Sequence, residues 1–148
     1  MTDQHSFTDR FFLEGEIQSR RALDREDLRQ FSLEFQVPDV SAVMPNMKGR
    51  GVRMSALLET AQPSVEADHV TFHSLDGKFA ATLTLAKAKE YGILIYEVDG
   101  LPLPDEKGGP FRLVTPGLGD LCANVKQVAR IEVTKGAGRD TRPPEVCT

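Results

Sequence analysis

The stretch GGPFRLVTPGLGDLCANVKQVARIEV, Gly108 to Val133, decides how this chain is read. FRLVT (Phe111–Thr115) and VKQVARIEV (Val125–Val133) have the apolar content of strands, and Arg112 and Lys126 sit near the start of each. A guanidinium grips two oxyanion oxygens in its planar fork, and an ammonium adds a compact point charge. Gly117 and Gly119, in the loop between them, would let backbone amides approach an anion closely. Taken alone, the same residues would serve as solvated charges beside a turn. The surrounding chain has to separate the two readings.

Upstream, GILIYEV (Gly92–Val98) has an unbroken apolar centre, which predicts a strand buried on both faces, and DGLPLPDEKGG (Asp99–Gly109) reads as a loop. HVTFHSLDGKFAATLTL (His69–Leu85) predicts two strands around an Asp76-Gly77 turn, with a short AKAKEY helix after it. SALLETA puts Leu57, Leu58 and Ala61 on one helical face, and Pro63 ends it. Nearer the N-terminus, FFLEGEI (Phe11–Ile17) is expected to be a strand, and Asp24 caps a short helix whose Glu26 and Asp27 suit its dipole. FSLEFQV (Phe31–Val37) alternates like a strand that Pro38 stops, and Asp39–Arg50 reads as a loop. The expected class is α+β, with roughly seven strands and three short helices. Residues 1–10 read as a loose N-terminus, 11–135 as the domain and 136–148 as a flexible tail.

The 148 residues, 40% of them apolar, suit a single domain with its own core. A net charge of −4 argues against sequence-independent nucleic-acid binding, which depends on neutralising phosphates. No basic segment precedes an apolar stretch, so the expectation is a cytoplasmic protein with no membrane contact. Cys122 and Cys147 make no disulfide framework and read as free thiols. His69 and His73 lie four apart in a strand, on one face but separated, which suits structure better than a zinc pair. Ser41 and Ser55 have no adjacent histidine to activate them. Arg20, Arg21, Arg25 and Arg29, and separately Lys48, Arg50 and Arg53, form two basic patches that would suit an anionic partner or phosphate but are read first as solvated faces.

From Phe12 to Val133 the order of motifs resembles the oxidoreductase molybdopterin-binding domain of the sulfite oxidase superfamily. FLEGEI followed by ALDREDLRQF resembles its opening strand, turn and helix, GRGVRMSALLETA its apolar helix behind a glycine, and HVTFHSLDGKFAATLTL its hairpin. YEVDGLPLP followed by GGPFRLVTPG and VKQVARIEV resembles its turn, proline, arginine strand and lysine strand. The resemblance implies a sulfite-oxidase-type fold with a mixed, barrel-like sheet core and short helices. It also implies that Arg112 and Lys126, with Ser74, Asn124 and Val125, hold the phosphate and pterin end of molybdopterin.

The resemblance also implies a metal-ligating cysteine in the loop before the apolar helix. Twelve residues before Gly51, where that cysteine is expected, stands Asp39, a hard oxygen donor in place of a soft thiolate. The aromatic and arginine residues expected beside the ligand are replaced by VSAVMPNMKG, and Lys107 takes the place of a polar residue before Gly-x-Pro. The expectation is therefore a domain that binds a pterin phosphate or another anionic small molecule, with no metal, no catalytic residue and no ordinary molybdenum redox chemistry. Two alternatives stay open. One is an active molybdenum oxidoreductase of sulfite or sulfoxide chemistry, using Cys122 or Asp39 at the metal; the other is a protein-interaction module with a vestigial pocket and an unidentified partner.

Overall fold

Alternation along β1 (Arg10–Gly15) sends Phe11 and Leu13 inward, and both are fully buried. A computed structural model describes residues 10–118 and 124–142 of the chain. In it β1 lies parallel to β10 (Val128–Thr134) and antiparallel to β2 (Arg21–Asp24). Beyond β10 come β5 (His69–Ser74) and β6 (Ala80–Thr84), giving the order β2-β1-β10-β5-β6. A second sheet runs β3 (Gln36–Val37), β4 (Arg50–Arg53), β7 (Ile93–Val98), β8 (Leu101–Pro102), and β9 (Arg112–Val114) also pairs with β7. Three helices, α1 (Arg25–Arg29), α2 (Met54–Ala61) and α3 (Leu85–Tyr91), complete an α+β architecture. None of them is long and apolar enough to cross a membrane.

The two faces of β7 explain its apolar run. Leu94 and Tyr96 enter the main core with Phe11, Phe72, Leu57 and Ile131, whereas Ile93 and Ile95 join Val37, Val40, Leu103 and Val114 in a second cluster. Met44 and Met47 pack on that second cluster, so residues 38–49 are draped over the outer side of β7. Each fully buried aliphatic side chain contributes about 1.5–3 kcal/mol, enough to fix the drape in place. Its anchoring brings Asp39 and Lys48 beside the sheet that carries Arg112.

A buried polar link joins α1 to this sheet. The Tyr96 hydroxyl donates to Gln36 Oε1 at 2.6 Å, and Arg50 Nε donates to both the hydroxyl and that oxygen. Glu97 pairs with Arg25 at 2.9 Å and with Arg29 at 3.6 Å.

Several expectations are corrected. Of the strand expected at Phe31–Val37 only Gln36–Val37 is formed, as β3, because Leu33–Phe35 makes a 3-10 turn with Leu33 81% exposed. The Gln36 side chain donates to the Leu28 and Phe31 carbonyls there, meeting locally needs that a ladder would otherwise meet. The Asp39–Arg50 loop contains a 3-10 turn at Val40–Ala42, and β4 begins at its end. The extra strands β2, β3, β4 and β8 span two to four residues each, too few to show a period. The last strand starts at Val128 rather than Val125, since Gln127 adopts φ 52° and breaks the ladder. Of the tail expected at 136–148, residues 143–148 lie outside the described residues, and 140–142 bond the edge of β6, where Thr141 N–H donates to the Ala80 carbonyl.

Candidate anion-binding site

Arg112 opens β9, in register with Ile95 of β7, where the short strand leaves its side chain half-buried at a cleft. Its Nη1 donates to the Lys107 carbonyl at 3.2 Å. Its Nε is buried without a hydrogen-bond partner, and it is the one such side-chain atom among the described residues. No carboxylate among the described residues lies within ion-pair distance of it. Burial alone lowers the pKa of this guanidinium, with no counter-charge acting against it. A partly desolvated and uncompensated cation is unfavourable in an isolated protein and favourable once an anion arrives.

Arg112 and Lys126 meet over Gly108. A Cβ on that glycine would lie 2.9 Å from Arg112 Cδ and 3.1 Å from Lys126 Cγ, and the residue holds φ 91°, which favours glycine. Gln127 N–H donates to the Gly108 carbonyl, and Leu75 N–H donates to the Gln127 carbonyl, each at 2.7 Å. The row of bonds fixes the start of the lysine segment against the arginine strand.

The cleft measures about 520 Å³, with Arg112, Lys107, Lys48 and Glu106 at its polar edge and Ile95 and Leu103 on its apolar side. A neighbouring cleft of about 320 Å³ shares Lys48 and is lined by Asp39, Arg50, Glu97 and Asp99. The basic residues divide by location. Arg20, Arg25, Arg29 and Arg130 are engaged with glutamates, whereas Lys48, Arg50, Lys107 and Arg112, which line the clefts, have no carboxylate within ion-pair distance among the described residues. Arg20, Arg25 and Arg29 of the first basic patch are thus ion-paired, and Lys48 and Arg50 of the second border the clefts.

The other residues singled out from sequence take distinct places. Ser74 ends β5 beside the Gln127 row, and its hydroxyl donates to Asp76 Oδ1 and accepts from Phe79 N–H within the hairpin turn. Asn124 Oδ1 accepts from Thr115 N–H and Thr115 Oγ1, bracing the arginine strand. Val125 is fully buried and exchanges two backbone bonds with Leu113, seating Lys126 next to β9. Gly117 faces the Tyr91 ring rather than Arg112, while Gly119, Cys122 and Cys147 lie outside the described residues. His73 bonds Glu132 and His69 bonds Asp68, so each has a structural partner. Gly108 is the residue near Arg112 that the sequence reading does not single out, its available signal being the double glycine before Pro110, whereas Lys48 belongs to the second basic patch.

The two ends of the clefts differ in what they suit. The uncompensated Arg112, with Lys107 and Lys48 at the edge of the same cleft and the Lys126 chain passing Gly108 beside it, fits an oxyanion such as a phosphate. Asp39 caps the Val40–Ala42 turn, where its Oδ1 accepts from Ser41 N–H at 3.0 Å and from Ser41 Oγ at 2.6 Å. Those bonds, with Lys48 nearby, hold its pKa below the ordinary aspartate value. Among the described residues no group of three or more His, Cys, Asp or Glu is placed to hold a metal ion. A carboxylate engaged in its own turn does not suit a metal that favours sulfur.

The sequence pattern of the family described as "Oxidoreductase molybdopterin binding domain" matches residues 18–141. Mitochondrial sulfite oxidase of Macaca fascicularis is 38% identical over 73 residues, covering 44% of this chain and 13% of that protein. The fold is similar to that in the crystal structure of the sulfane dehydrogenase SoxCD from Paracoccus pantotrophus, with a TM-score of 0.67 at 20% identity, over 86% of this chain and 38% of that one. The chain therefore spans well under half of either protein's length, and the expected sulfite-oxidase-type fold is met.

Proposed function

Because the chain belongs to the oxidoreductase molybdopterin binding domain family, we propose that its Arg112 cleft binds the phosphate end of a pterin, or another anionic small molecule, without ordinary molybdenum redox chemistry. The observation that carries this reading is the half-buried Arg112 whose Nε has no partner and whose charge has no counter-ion among the described residues. Arg112 supplies the planar fork and Lys126 the second charge. Ser74, Asn124 and Val125 act as positioning residues, holding the hairpin turn, the arginine strand and the lysine segment around them. A bound molybdopterin would supply the dithiolene that carries a metal in such domains. Asp39, in the neighbouring cleft, is bonded within its own turn and offers oxygen rather than sulfur, which supports the reading without a metal, and no reaction step is assigned to it.

The test is titration calorimetry with inorganic pyrophosphate and with metal-free molybdopterin, on wild type and Arg112→Ala. Micromolar or tighter binding that falls at least about tenfold in the variant, equivalent to about 1.4 kcal/mol, supports the reading. Equal affinities in the two proteins would reject it and leave the interaction-module alternative ahead.

A further inference from the structure

We infer that residues 138–142 form a self-blocking strap over the edge of β6, and that the surface beneath it is a strand-pairing edge suited to a second copy of this chain. All four outward backbone groups at Ala80 and Thr82 are occupied by the strap. Ala80 N–H donates to Thr141 Oγ1 at 3.0 Å, and the Ala80 carbonyl accepts from Thr141 N–H at 2.9 Å. Thr82 N–H donates to Asp140 Oδ2 at 3.1 Å, and the Thr82 carbonyl accepts from Arg142 Nη2 at 3.1 Å. Asp140 and Arg142 are also paired with each other, which keeps the donor and acceptor aligned along the edge. Three of these four bonds involve a strap side chain, so the edge is capped without a neighbouring strand.

The strap reaches β6 by crossing the outer face of β5, where a side chain at Gly138 would have to displace Thr71 or the strap itself. A Cβ on Gly138 would overlap Thr71 Oγ1, while Gly138 N–H donates to Thr82 Oγ1 at 3.3 Å. Past the crossing, Arg139 Nη1 donates to the Gly77 carbonyl at 2.9 Å and ties the strap to the hairpin turn.

The other sheet edges show why β6 needs this cover. The outer strand β2, RALD, carries Arg21 and Asp24, and β3 and β8 are two residues long and β9 three. Charges and short length both discourage edge pairing. The β6 sequence AATLT has five residues with no charge and no proline. An uncovered strand of that kind offers its unpaired groups to another strand, and an identical one can pair with it antiparallel about a two-fold axis. Its small side chains leave room for the approach.

Two full-length proteins displace the strap in different ways. Gly138→Val forces it off Thr71, and Asp140→Ala with Arg142→Ala removes both caps on Thr82 while leaving the crossing intact. Sedimentation equilibrium over a wide concentration range and amide exchange at Ala80 and Thr82 read the outcome. Wild type should remain a monomer with both amides protected. The variants should form dimers as concentration rises and, when dilute, exchange those amides about tenfold faster. Adding Thr82→Lys to the Asp140→Ala, Arg142→Ala protein should return it to monomer. Monomeric variants at every concentration would overturn the inference, as would a wild-type dimer that keeps the strap bonded or association that survives Thr82→Lys. Because none of these changes touches the Arg112 cleft, failure here leaves the anion-binding reading standing.

Discussion

Gly108 and Arg112 stand so close that a Cβ on the glycine would lie 2.9 Å from the arginine Cδ. Gly108→Ala should therefore combine two effects. The positive φ of 91° disfavours any L-residue by about 1–2 kcal/mol, and the new methyl group pushes on both cations. Gly77→Ala supplies the control, since Gly77 holds φ 75° with open space around it. Both variants should melt at lower temperature, but only Gly108→Ala should weaken pyrophosphate binding, by about tenfold or more.

Arg112→Met should separate binding from stability. Replacing a desolvated, unpaired cation with an apolar chain of similar length removes a burial penalty, so the variant without ligand should melt at or above the wild-type temperature. Its pyrophosphate binding should be lost. A clear drop in melting temperature would mean that the arginine is held by a compensating group in the isolated protein.

Much of the fold was legible because it lies in segments long enough to show a period. The Asp76-Gly77 hairpin, the doubly buried β7 and the Asp24-capped helix α1 follow from alternation, an apolar run and a capping residue. The failures lie where side chains replace ladders. Gln36 bonds the Leu28 and Phe31 carbonyls and leaves only Gln36–Val37 of the expected strand, and Asp140 with Arg142 bonds the edge of β6 through side chains. At the candidate site, the neighbouring positions of Arg112 and Lys126 follow from their two segments, whereas Lys48 reaches the cleft through Met44 and Met47, which drape its loop over β7. That long-range packing leaves no local mark in sequence.

Tyr96→Phe should destabilise the protein by about 0.5–1.5 kcal/mol, because the buried Gln36 oxygen loses one of its two donors and Arg50 Nε one of its two acceptors while the Arg50–Gln36 bond remains. Chemical denaturation of the two proteins measures the difference. Equal stability would mean that water replaces the hydroxyl without loss.

Acid stability should carry the signature of Glu14, which accepts from Arg130 Nε at 2.6 Å and from Arg20 Nε at 3.1 Å. Burial raises its pKa, but the bonds from Arg130 and Arg20 outweigh that and hold it below the ordinary glutamate value. A carboxylate lowered in this way contributes fully above its unfolded-state pKa and loses the contribution as pH falls through its folded-state pKa. Glu14→Gln should therefore be less stable than wild type at neutral pH, and the gap should narrow through the acid range below the ordinary glutamate value. A gap that stays constant to strongly acid pH would contradict the assignment.

The most direct measurement is the ratio of molybdenum to pterin in protein purified from cells able to make the complete cofactor, by elemental analysis and pterin fluorescence on one sample. With Arg112 and Lys126 holding the phosphate end and Asp39 committed to Ser41, wild type should retain pterin with molybdenum far below one per chain, and Arg112→Ala should retain neither. One molybdenum per chain in wild type, or equal pterin in the two proteins, would contradict the account.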